Sequence, residues 1–472
     1  MTEHPPFRRL IARWGPFLVP PLYLAVIFWL QPRDRLGPSD VAPWLGRLLH
    51  DDYDGACMAL RALNDLRGRQ ATQFEHPPLR TSQEYSQALD TPADLKPGYY
   101  LEYPHVTLLM FRLGYVLAPD VADKPIPAAL LDGWHNNLVE HAPRNDSERA
   151  LWREFRQAIR TYEVIMMACL LGVMAVLTVG YEPSGGRKLP ELHLRGLTPP
   201  APVFLLVLPA VLYFSFHRFD IVPTLLVALS LFCLGRRWLV ASAILLATAT
   251  MVKVFPLFLA PIVVRYLSDS KRNAVLWLAA YGATMAAIVL PTLVLSGWTE
   301  FWMPYRIQLA RDDDDPWSLY GRLLPQFLHA NDWIGKTFRM GSALVVVVGL
   351  CWTRPTSLTA VLRRGVVAVW IFVTLQVFYS PQWLLWFLPL LIPLARTNRL
   401  ILSLAIALDV VTYLGFPMAF GSSDPLVEPY GRLGLIYARV AIWAWLLWAL
   451  WVDGSEMRDQ PRVLARTPAS AR

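Results

Sequence analysis

The stretch FDIVPTLLVALSLFCLGRRWLVASAILLATATMVKVFPLFL, residues 219–259, decides the fold. Its only charges are Asp220, Arg236, Arg237 and Lys253, and apolar side chains fill the runs between them. A helix that is apolar all round belongs in a protein core or in lipid. Gly235-Arg236-Arg237 separates two such runs as a short basic connection, the kind that marks the cytoplasmic side of a membrane protein. Lys253 stands between two apolar runs, where a charge demands a partner or a phosphate, or must snorkel to the interface.

Outward from this stretch the same pattern recurs. Apolar runs lie near 15–30, 104–118, 161–181, 199–216, 219–235, 238–252, 254–267, 273–296, 340–352, 364–379, 382–395, 399–417 and 432–452. Several are shorter than the ~20 residues a bilayer demands, so adjacent pairs are expected to be tilted, broken or re-entrant. The expected fold is all-α and polytopic, with about 11–13 transmembrane helices and a long first extracytoplasmic loop. Residues 1–472 read as a single transmembrane domain. Within it, 31–103 forms the first outer loop, 297–338 a second, and 453–472 a cytoplasmic tail.

Composition agrees. Of the 472 residues 55% are hydrophobic and only 17% are charged, where a soluble chain would carry about a quarter. Nineteen Trp and eighteen Tyr suit interfacial aromatic belts. The net charge of +8 resides in short connections between apolar runs, which reads as topology and argues against a nucleic-acid surface. Cys57, Cys169, Cys233 and Cys351 are scattered, without metal-like spacing or a disulfide framework.

The first run follows Arg8, Arg9 and Arg13, and Gln31-Pro32-Arg33-Asp34 offers no small-residue cleavage site. An uncleaved first helix with a cytoplasmic N-terminus is expected. Arg236 and Arg237, Lys271 and Arg272, Arg363 and Arg364, and Arg396 with Arg399 mark further cytoplasmic connections. Thirteen full crossings would leave the C-terminus outside, so at least one run is not a crossing. Run 104–118, with Arg112, or the tight pair 238–252 and 254–267, is the suspect. Between 146 and 160, Leu151, Trp152, Phe155 and Ile159 recur at helical spacing opposite charges. Such a helix lies in the membrane interface or packs on neighbouring loops.

Chemistry concentrates in few places. Asp51, Asp52 and Asp54 precede a helix-like segment at 56–66. Each alone reads as a helix cap, but three acids in four residues exceed what capping needs. A carboxylate with like-charged neighbours gains proton affinity, which suits a general base at the water face of a membrane. Tyr103-Pro104-His105 leads into an apolar run, as an aromatic anchor with a proline start or as part of a site. Arg218 and Asp220, two residues apart, pair with each other or face a lipid phosphate. Asp409 is an intramembrane acid with no partner visible in sequence. Asp312, Asp313, Asp314 and Asp315 form an acidic run that reads as a solvated turn, with a divalent cation as the weaker option.

These motifs, in this order, resemble glycosyltransferase family 87 of the GT-C superfamily. They are Asp52 with Ala59-Leu60-Arg61-Ala62-Leu63, Tyr103-Pro104-His105, Arg218-Phe219-Asp220, Lys253-Val254-Phe255-Pro256 and Ser380-Pro381-Gln382-Trp383. The stretch 216–262 is the most similar. Two departures stand out: His105 replaces the second proline of a Tyr-Pro-Pro segment, and a polar insertion spans roughly 69–98. The resemblance implies a GT-C fold and an integral membrane enzyme that moves a sugar, typically mannose, from a polyprenyl-phosphate donor to a lipid or glycan acceptor with inversion. It implies a carboxylate base, Asp52 before Asp54 or Asp51, and a donor phosphate held by Arg218, Lys253, Tyr103 and His105. Asp220 and Gln382 serve the acceptor or the structure. No cofactor or metal is implied, and divalent-metal dependence stays open. A multi-pass protein of a bacterial inner membrane, with its site on the outer face, is the expectation.

The rival reading is a polytopic transporter or lipid flippase, supported by broken segments and the intramembrane ions Arg218, Asp220, Lys253 and Asp409. A polysaccharide ligase or polymerase, or an inactive scaffold, are further alternatives.

Overall fold

Apolar runs become helices nearly one for one. The computed structural model describes residues 6–30, 106–107, 146–181, 201–310, 333–376, 378–418 and 431–459. Among them are twelve α-helices and no strand. In chain order these are α1 (Pro6–Leu30), α2 (Asp146–Val179), α3 (Pro209–His217), α4 (Ile221–Gly235), α5 (Leu239–Val252) and α6 (Ala260–Leu267), followed by α7 (Lys271–Ala310), α8 (Trp333–Trp352), α9 (Leu358–Thr374), α10 (Leu384–Ala395), α11 (Arg399–Tyr413) and α12 (Arg432–Asp459). Short 3-10 helices at Ala201–Val207, Phe255–Leu259 and Pro381–Trp383 lead into α3, α6 and α10.

Four stretches are long and apolar enough to cross a membrane: Arg160–Val179, Lys271–Val294, Arg399–Phe416 and Leu433–Val452. A fifth arises if α3 and α4, bent by 108°, count as one broken span. Shorter apolar helices at Gly15–Phe28, Leu239–Val252, Phe255–Leu267, Thr337–Trp352 and Pro381–Ala395 fall below the bilayer length. The protein is an all-α, multi-pass membrane protein. The outward surface of α7 and α8 fits lipid, for Val275, Leu290, Val294, Leu344 and Val345 are all exposed. In water such a continuous apolar face would aggregate.

Several boundaries differ from the sequence reading; α8, for one, begins at Trp333, inside the expected second outer loop, and α9 spans Leu358–Thr374 where the run read 364–379. Residues 146–160 do not form a separate helix; they continue into the membrane stretch as one helix, α2. Helix α7 breaks at Gly297, whose φ of 79° is accessible to glycine, and resumes to Ala310 inside the expected second outer loop. Helix α12 runs to Asp459, past the expected start of the tail.

The centre of the bundle is α10. Apart from Pro393, every residue from Leu384 to Ala395 is buried. Pro389 and Pro393 lie inside this helix, and each removes the hydrogen bond to the carbonyl four residues earlier. Neighbouring hydroxyls take over. Thr224 Oγ1 lies 3.2 Å from Leu385 O, sharing its proton with Asp220 O at 2.7 Å. The Tyr181 hydroxyl donates to Pro389 O at 2.8 Å. In a medium without water this substitution is what makes two prolines tolerable.

Elsewhere small polar residues join the helices. Ser230 of α4 donates to Ser242 O of α5 at 2.7 Å, and Trp277 Nε1 of α7 reaches Ser242 Oγ at 3.2 Å. Thr250 and Tyr281 hydroxyls lie 2.9 Å apart. Such bonds hold helices together where the hydrophobic effect between them is weak.

Side-chain contacts sort the helix ends into two sets. At one end Arg396 donates to Leu177 O and Thr178 O at the close of α2. Arg265 donates to Cys351 O and Arg364 to Leu350 O at the close of α8. Cations thus answer the free carbonyls and the negative dipole of helix C-termini. Gly235 closes α4 at this end; a Cβ there would sit 2.1 Å from Tyr181 O. The opposite end carries the polar cluster.

A candidate donor site at one end of the bundle

Asp220 sits just before α4 with helical backbone angles (φ −61°, ψ −20°), and its side chain makes no capping bond. It turns inward instead and is fully buried. Lys253 follows the last turn of α5 in an extended conformation, φ −154°, ψ 138°, before the Phe255–Leu259 turn begins. Pro256 in that turn helps to stop α5 there. The two chain ends meet: Lys253 Nζ donates to Asp220 Oδ1 at 2.7 Å, and Lys253 is one-fifth exposed. Trp386 Nε1 donates to the same oxygen at 2.6 Å. Asp220 Oδ2 is buried without a hydrogen-bond partner.

Aromatic rings enclose the ammonium. Lys253 Nζ lies 4.6 Å from the centre of the Phe219 ring and 5.3 Å from that of Trp386. Phe255 stacks on Trp386 at 4.5 Å and 7°. Trp383 also stacks on Trp386, with ring centres 5.2 Å apart. These faces attract a cation and exclude water, so the ion pair is strong where it stands.

Ser380-Pro381-Gln382-Trp383 forms the tight turn that starts α10, with Trp383 N–H bonded to Ser380 O at 3.0 Å. Gln382 is 8% exposed. From the far side, Thr107 Oγ1 donates to Val252 O at 2.8 Å, the residue before Lys253. It thereby satisfies a carbonyl at the end of α5.

Three motifs widely separated in sequence therefore converge: Phe219-Asp220, Lys253-Val254-Phe255 and Gln382-Trp383. Arg218 is half-buried next to them, in extended backbone at the close of α3. One pairing is corrected. Asp220 pairs with Lys253, not with Arg218, because Arg218 is still in extended chain while Asp220 has entered the helical turn.

Asp409 also has partners that its own run does not reveal. Its carboxylate accepts from Ala210 N at 3.3 Å and Val211 N at 3.0 Å, capping α3 from α11. The residue in the local cap position, Leu208, has no side-chain oxygen to offer.

Asp51, Asp52, Asp54, Tyr103 and His105 lie outside the described residues, as do Asp312, Asp313, Asp314 and Asp315. Among the described residues no three His, Cys, Asp or Glu side chains group as metal ligands. Sequence reasoning missed Trp386, Thr224 and Arg439. Trp386 stands three residues after Trp383, a spacing that puts both on one helical face. Arg439 is the single charge within Leu433–Val452, which was signal enough.

The fold and the cluster define a class: a helical membrane protein with a buried polar site at the end of its bundle opposite the basic connections. Residues 150–381, just under half of the chain, match the model of glycosyltransferase family 87, the family whose motifs the sequence resembles. That region contains Arg218, Asp220 and Lys253 and ends at Pro381, and a match to this family indicates a glycosyltransferase. No curated protein matches the chain.

Proposed function

We propose that this protein transfers mannose from a polyprenyl-phosphate donor to a lipid or glycan acceptor, with inversion, at the outer face of a bacterial inner membrane. The convergence of the Asp220, Lys253 and Gln382 motifs into one polar cluster supports this reading. The family match favours a transferase over a transporter.

A donor that already carries phosphate needs no protonated leaving group, provided cations take up the developing charge. Arg218 and Lys253 supply that charge, with Tyr103 and His105 as further contacts to the phosphate. Asp220 holds Lys253 in place through their ion pair, since a lone ammonium at this depth would be costly. The spare oxygen of Asp220 is hydrogen-bonding capacity kept for a hydroxyl-rich ligand. Asp52 removes the acceptor proton while the hydroxyl attacks opposite the phosphate, as the base does in inverting glycoside hydrolysis.

The test is transfer of radiolabelled mannose from polyprenyl-phosphate mannose by the purified full chain. Asp52→Ala is expected to abolish transfer, by about 10²-fold or more, while folding and donor binding persist. Retained transfer in Asp52→Ala with loss in Asp54→Ala would move the base two residues on. A wild-type protein inert toward a panel of lipid-linked sugars would reject the donor class.

A further inference from the structure

We infer that Arg439 is a positioning residue for this site, acting through Tyr379 on the turn that carries Gln382 and Trp383; the inference rests on the site proposed above. Arg439 lies outside the region matched to the family. It is the single charged residue within the apolar stretch Leu433–Val452, yet it is only 3% exposed. An arginine that merely tolerated its place would carry its head to the interface along a flexible stem. This one lies over the ring of Tyr379, its guanidinium carbon 3.5 Å from the ring centre. A desolvated contact of this kind is at the strong end of cation–π interactions.

Tyr379 leads directly into Ser380-Pro381-Gln382-Trp383. Its ring meets Trp383 edge-on at 6.0 Å and Phe416 at 6.0 Å. Trp383 stacks on Trp386, whose indole N–H holds Asp220. A continuous path of ring contacts thus runs from Arg439 to the ion pair. Along it, Ile436 of α12 packs against Tyr379 and Phe416, and both of these rings also pack against the main core. Thr224 holds Leu385 O just past the turn, Phe378 packs on Trp383 at 5.1 Å, and Arg439 holds Tyr379 at the edge. Loss of the Arg439 contact is expected to loosen the turn first, because Tyr379 directly precedes it.

The full chain in lipid nanodiscs provides two readouts. One is hydrogen exchange of the backbone amides of residues 380–386; the other is transfer kinetics with polyprenyl-phosphate mannose. Arg439→Lys keeps the charge but removes the planar fork, and Tyr379→Leu removes the ring. Each is expected to lower kcat about tenfold with donor KM within about twofold, the signature of lost positioning rather than lost binding. Exchange should rise over 380–386 alone, and the double variant should be no worse than either single one. Additive losses would overturn the inference, as would faster exchange spread through α9 and α12, which is plain destabilisation. A rise in donor KM with unchanged exchange would also overturn it, because Arg439 would then touch the donor itself. If the wild type transfers no mannose, the proposed function fails, and the exchange pattern of the three variants still decides whether Arg439 holds the turn.

Discussion

Asp220 and Lys253 each carry a charge that its depth makes expensive, and each answers the other. Removing one partner strands the second, which costs more than removing both. We expect Asp220→Ala to destabilise the protein by about 3 kcal/mol, the low end for a broken buried pair because Lys253 is one-fifth exposed. The double variant Asp220→Ala/Lys253→Ala should lose less than the sum of the single losses. Thermal unfolding in detergent reads both, and simple additivity would mean that the pair does not act as a unit. Both residues were visible in sequence as charges out of place. Their partnership was not, since 33 positions separate them and the nearer cation, Arg218, was the obvious choice.

At the level of elements, α10 shows how a central helix survives two prolines. The sequence displays Pro389 and Pro393, and with them the two carbonyls left open at Leu385 and Pro389. It does not display the donors, which come from α4 and from the residue just past Gly180. Tyr181→Phe and Thr224→Val should each cost about 1–2 kcal/mol through an orphaned buried carbonyl. Stability measured in detergent checks this. Tyr181→Phe should leave transfer intact, because Tyr181 lies at the end of the bundle remote from Lys253. Glycine has a similar double reading. Gly297 was legible as a helix boundary, but that the chain resumes its helix beyond it depends on the backbone angle adopted there. Asp409 belongs to the same class, since the helix it caps is α3, some 200 residues earlier.

At the scale of the whole molecule, among the described residues the basic connections gather at one end and the Asp220–Lys253 cluster lies at the other. That separation is what the positive-inside rule asks of a site on the outer face. We predict that single cysteines at Lys271 and at Trp298, in a background free of Cys57, Cys169, Cys233 and Cys351, label from opposite sides of the membrane. Lys271 opens α7, and Trp298 follows the apolar run of the same helix, so labelling from one side would mean that α7 does not cross.

The membrane character, the all-helical class, most helix limits and the glycosyltransferase resemblance were all readable from the chain alone. Hydropathy acts locally, over about twenty consecutive residues, and Gly, Pro and Arg punctuate it locally too. The partner of Lys253, the cap of α3, the donors for the two open carbonyls and the contact of Arg439 with Tyr379 were decided only by the tertiary structure. Each joins positions from 33 to some 200 residues apart, and a buried polar group takes whichever donor the packing of distant helices delivers.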